Sequence, residues 1–103
     1  MNNSLESWLQ AWADWLDALL ATGVGRPSVE TSRRIQAWCT DADLLGFNQQ
    51  SRRARLLLDS TAALAQRQQA FLDLVLEQDM LARLHDAHTM LAIGENVETD
   101  PLM

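Results

Sequence analysis

Between Leu5 and Ala21 apolar side chains return every three or four residues: Leu5, Trp8, Leu9, Trp12, Trp15, Leu16, Leu19 and Leu20. At about 100° per residue they fall within an arc of roughly 140°, with Glu6, Gln10, Asp14 and Asp17 on the opposite side. The spacing predicts an amphipathic helix. Asn3 or Ser4 is placed to cap it, Glu6 stands in a capping-box relation to Asn3, and Gly23 marks its end. The connection from Thr22 to Pro27 is short enough to return the chain as an antiparallel neighbour.

Ser28 is placed to cap a second helix, in which Ile35, Trp38, Cys39, Ala42 and Leu45 share an arc of roughly 120°. Arg33, Gln36 and Thr40 lie opposite. Asp41 and Asp43 are unfavourable near a helix C-terminus, so Thr40 either lies within the helix or caps a separate short turn running to Leu45. Gly46 ends the element in both cases.

From Asn48 or Ser51 to about Ala92 the chain holds no glycine and no proline, which predicts helix throughout or nearly so. Leu57, Leu58, Leu64, Ala65, Phe71, Leu72, Val75 and Leu76 share one face, whereas Met80, Leu84, Ala87 and Leu91 lie nearly opposite. The stripe changes side around Glu77, Gln78 and Asp79. Either the chain bends there into a fourth short helix, or one helix of roughly 65 Å serves different partners on its two faces. The second arrangement calls for an oligomer, because the first two helices are too short to cover it. A turn at Gln66 to Gln69 would give four helices of similar length, but no turn residue supports it. Gly94 is expected to close the helical region, leaving residues 1–93 as a single helical domain and 94–103 as a mobile acidic tail.

The expected fold class is therefore all-α: an N-terminal antiparallel helical hairpin packed on a long, bent or straight C-terminal segment, as a three- or four-helix bundle. Leu57, Leu64 and Phe71, spaced by seven and accompanied by Leu58, Ala65 and Leu72, form a coiled-coil-like seam in which Thr61 and Gln68 would set register. That seam predicts a homodimer.

Composition narrows the function classes. With 103 residues the chain makes one domain, and 48% hydrophobic with 21% charged residues describes a globular protein. The formal net charge is −6, and every basic charge is arginine, as lysine is absent. That balance argues against generic binding to nucleic acid, and the acidic back of the first helix argues against an anionic membrane surface. Five of the eight arginines lie between Arg33 and Arg55, whereas the first helix is purely acidic, a segregation that could align helices or steer subunits together. Cys39, the only cysteine, excludes an internal disulfide and reads as a buried structural thiol. The N-terminus shows no basic region of a signal peptide, and no apolar run approaches about 20 residues. A cytoplasmic setting is the expectation.

Signs of catalysis are few. His85 and His88 share a helix side near Asp79 and Asp86, but the residue three before His85 is Ala82, so the Glu-x-x-His pairs of helical di-iron sites are missing. No phosphate loop or nucleophile motif is present. A non-enzymatic protein without cofactor or metal is expected. Ala42, Gly46 and Phe47 followed by Asn48-Gln49-Gln50-Ser51-Arg52-Arg53 resemble a helix-turn-helix, and Arg52, Arg53 and Arg55 would then contact phosphates. The resemblance spans about a dozen residues and departs from the pattern at Arg52, where a recognition helix turns an apolar residue inward.

The tryptophans remain. Each buries about 150–250 Å², so four represent more aromatic area than four short helices usually enclose. Trp12 at the centre of its face reads as core. Trp8 and Trp15 at one edge, with Trp38 as a neighbour, read either as core or as an interface. The function expected is a small protein-protein interaction module, an adaptor, chaperone-like binder or regulatory subunit, that acts through helical surfaces on itself and on an unidentified protein. The alternative is a DNA-binding regulator using the degenerate motif from Ala42 to Arg55.

Overall fold

The computed structural model describes residues 3–98 and is all-α, with four helices and, among the described residues, no strand. Helices α1 (Asn3–Thr22), α2 (Val29–Leu45), α3 (Asn48–Leu57) and α4 (Leu64–Glu98) form a four-helix bundle. The side chains of Asn3 and Ser4, the expected caps of α1, lie outside the described set, as do residues 99–103 of the expected tail.

The two N-terminal helices end and begin where the local chemistry dictates. Gly23, at φ +94°, closes α1 by donating its N–H to Leu19 O at 2.7 Å. Ser28 caps α2: its hydroxyl accepts from the Thr31 N–H at 3.0 Å. At the other end Gly46 takes φ +93°, and Phe47 N–H reaches back to Ala42 O at 2.8 Å while Gly46 N–H bonds Asp43 O. This is a Schellman closure, in which the residue after the glycine packs back on the protein. Here Phe47 stacks on Trp8, ring centroids 4.7 Å apart. Thr40 starts no separate turn. Its hydroxyl bonds Gln36 O within an uninterrupted α2.

The segment 48–92 is not one helix, and the break falls neither at Glu77–Asp79 nor at Gln66–Gln69. It lies between Leu57 and Leu64. Asp59, Ser60 and Thr61 are weak helix formers whose side chains compete for backbone groups. The Asp59 carboxylate accepts from both the Thr61 N–H and the Thr61 hydroxyl, at 2.9 and 2.6 Å, and those bonds hold its carboxyl below the usual carboxylate range. Asx chemistry turns the chain here without glycine or proline. α4 then runs straight through Glu77–Asp79 and past Gly94 to Glu98. One glycine in a 35-residue helix costs about 1 kcal/mol relative to alanine, too little to stop it.

The core is built around α1. Trp12, Leu19, Ile35, Cys39, Ala42, Ala54 and Leu74 are fully enclosed, and Phe71 and Leu57 close the side toward α3 and α4. α4 packs antiparallel to α1: Arg67 reaches Gly25 O near the end of α1, and Gln78 donates to Leu9 O near its start. Glu77 receives both Arg53 and Gln50 of α3. Beyond that level α4 outruns its neighbours, and the molecule measures 63 × 22 × 21 Å.

Candidate interaction surfaces

The tryptophans come together as the wheel suggested, but inward. Trp8, Trp15 and Trp38 are only 4, 1 and 2% exposed. Trp8 and Trp38 stack nearly parallel, centroids 4.7 Å apart at 7°, while Trp12 and Trp15 meet Trp38 at 5.0 and 5.3 Å in tilted and edge-on arrangements. Rings that cover one another's faces need little further cover, which is how four indoles fit in so small a bundle. The bonding is reciprocal as well. Trp8 Nε1–H donates to Trp38 O at 3.3 Å, and Trp38 Nε1–H donates to Trp8 O at 3.2 Å. Among the described residues, the buried indole N–H groups of Trp12 and Trp15 have no acceptor.

Over this cluster runs an open groove of about 970 Å³ between α1 and α2. Small residues Ser7, Ala11 and Ala37 make it, the edges of the three indoles floor it, and Asp14, Asp41, Leu44 and Leu45 stand on its rim. Arg34, also on the rim, is held by Glu30 at 3.0 Å. The groove is thus a shallow cleft whose aromatic floor contributes almost no free surface.

The expected seam of Leu57, Leu64 and Phe71 does not run along one helix. Leu57 belongs to α3 and Leu64 to α4, with the Asp59 turn between them. Leu57 and Phe71 are core residues, whereas Leu64 is exposed and lies over Gly25, where an added Cβ would meet its Cδ1 at 3.3 Å. Of the arginines singled out, Arg53 is bound to Glu77, Arg55 is paired with Asp43 at 3.0 Å, and Arg52 is exposed. The inward positions of α3 are Ser51, Ala54 and Leu57. Among the described residues the arginine ion pairs run to α2 and α4 carboxylates, and none reaches the acidic side of α1.

Cys39 is fully buried, its Sγ 3.6 Å from Ser51 O, and desolvation raises its thiol pKa despite the nearby Arg55. That makes it a packing residue rather than a nucleophile. His85 and His88 border an apolar hollow of about 230 Å³ with Leu5, Leu9, Phe47, Leu81 and Leu84. Among the described residues no group of three His, Cys, Asp or Glu side chains is arranged to hold a metal ion, and no helix is long and apolar enough to cross a membrane.

Among the described residues, the longest run of exposed large apolar side chains lies on α4. Leu72, Leu76, Met80, Leu84, Met90 and Leu91 are each 53–71% exposed. On a wheel of about 100° per residue they occupy one arc of roughly 120°, with Ala87 at its centre. The core-facing residues of the same helix, Ala70, Phe71, Leu74 and Leu81, lie on the other side, so α4 has two apolar faces and the bundle fills one. Sequence reasoning placed Leu72 and Leu76 with Phe71 and Val75 because the apolar arc of α4 is wide. Ala70 and Leu74, set beside Phe71, are the signal that centres the inner face correctly.

Compared with protein-family models, with curated proteins and with solved structures, the chain finds no match in any of the three.

Proposed function

We propose that the protein is a non-catalytic protein-protein interaction module whose docking surface is the outer face of α4. The observation that carries this reading is the stripe from Leu72 to Leu91: six large apolar side chains, each more than half exposed, on a helix whose opposite face is already core. Scattered exposed leucines are ordinary on a soluble domain, but a contiguous row along one helix marks a binding surface. The division of labour is simple. Phe71, Leu74 and the Glu77 junction hold α4 against the bundle, and the outer face presents helix-spaced anchors to a partner helix or groove.

The test is site-specific photo-crosslinking in cells. Benzophenone-bearing residues at Leu76 or Leu84 should give a discrete covalent adduct with a polypeptide, while the same group at exposed Gln36 on α2 gives none. Equal labelling from all three positions, or no adduct from the stripe, would remove the reading.

A further inference from the structure

We infer that the outer face of α4 is covered by the same face of a second copy of this chain, packed antiparallel about a twofold axis at the level of Leu81. The inference rests on the docking surface proposed above and names its occupant.

The argument is the symmetry of the stripe about Leu81. Leu72 and Met90 lie nine residues before and after it, and Asp79 and Arg83 two before and two after. At about 100° per residue all four fall along one edge of the stripe, whose middle holds Leu76, Met80 and Ala87. When two helices pack antiparallel around a twofold axis perpendicular to both, like edges meet. Leu72 of each copy then faces Met90 of the other, and Asp79 faces Arg83. Within one chain Asp79 and Arg83 already form an exposed ion pair at 3.0 Å, so the assembly closes a ring of four alternating charges. A parallel pairing would bring opposite edges of the stripe together, setting Asp79 and Arg83 against the partner's Leu84 edge and leaving both charges without a partner across the interface.

Area and geometry agree. Each of the six large side chains offers on the order of 100 Å² to a partner, so two stripes bury on the order of 1,200 Å² together, the lower end of stable specific interfaces. The stripe points away from Phe71, Leu74 and the rest of the core, which places the two bundles on opposite sides of the paired α4 helices. Met80 stands nearest the axis, where an unbranched thioether adapts to its own symmetry mate. An anionic lipid surface is a poorer occupant, because Asp79 and Asp86 border the stripe and Asp73, bonded to Gln69, lies within its arc.

The test uses the full-length chain and light scattering across a concentration series. Wild type should run at dimer mass. Asp79→Arg and Arg83→Asp should each weaken the dimer at least tenfold with unchanged far-ultraviolet circular dichroism, and an equimolar mixture of the two variants should recover dimer mass. Orientation is read by oxidation. Leu72→Cys mixed with Met90→Cys should form a covalent dimer, neither variant should do so alone, and wild type, whose one thiol is buried, should give none. A covalent dimer of Leu72→Cys alone overturns the antiparallel register. Wild type that stays monomeric overturns the second copy, and the in-cell adduct separates the two readings: an adduct with a different protein retains the docking surface, and no adduct removes it too.

Discussion

The tryptophan face of α1 and the outer face of α4 look alike in sequence. Both are rows of large apolar residues at helical spacing, and both helices carry acidic residues as well. In the folded chain one is sealed and the other bare. The difference is not hydrophobicity. The tryptophan face has α2 and α4 against it and Phe47 stacked on Trp8, and its rings stack on one another, so its area is consumed within the chain. Among the described residues the outer face of α4 has no helix left to meet, because α1 and α3 are spent on the inner side. Periodicity identifies a face that must be covered, while element number and length decide whether the chain can cover it itself.

That contrast is breakable at its strongest point. Trp12→Ala should cost about 3–5 kcal/mol, because it opens a cavity beside Trp8 and Trp38 at a fully buried position, and thermal denaturation should show a large fall in Tm or no cooperative transition. Gly46→Ala asks a residue with a Cβ to hold φ +93° and should cost about 1 kcal/mol, measurable by chemical denaturation. Glu77→Ala frees Arg53 and Gln50 at a half-buried junction and should cost about 1 kcal/mol or less, and the loss should appear first as faster amide exchange between α3 and α4. At the other end of the scale, Leu76→Asp with Leu84→Asp should leave the stability of the isolated fold within about 0.5 kcal/mol of wild type. The same double change should abolish association. A large loss of monomer stability there would mean that the stripe serves the fold after all.

Reactivity offers a further check on the sealed side. With its thiol pKa raised by burial, Cys39 should react with a thiol reagent only through unfolding, so its labelling rate should rise steeply in Trp12→Ala and stay unchanged in the Leu76→Asp, Leu84→Asp variant.

Much of this fold was legible from residue order. The first two helices were bounded by Gly23, Ser28 and Gly46, all of which act as the expected caps. The α3 to α4 turn was not, because glycine and proline were taken as the signals of a break and the Asp59-Ser60-Thr61 run ends a helix by side-chain competition instead. The need for a covering partner on the C-terminal segment could be inferred from its changing stripe, but the residues of that surface could not be fully separated from the core. Leu57, Leu64 and Phe71 read as a surface seam because the spacing of seven is real, while the turn before Leu64 places Leu57 on a different helix from the other two. Burial of Trp8, Trp15 and Trp38 was the open question, and mutual stacking, which no linear pattern encodes, resolves it inward.

The crossed hydrogen bonds of Trp8 and Trp38 have a spectroscopic consequence. All four indoles of the chain sit in one cluster with centroid separations of 4.7 to 5.3 Å, close enough for their electronic transitions to couple, so they act as one chromophore and not four independent probes. Indole emission and near-ultraviolet circular dichroism therefore report the α1–α2 end alone. Fraying of the far end of α4, or its pairing with another helix, will pass unseen in those signals, and kinetics followed by intrinsic fluorescence will describe half of this molecule.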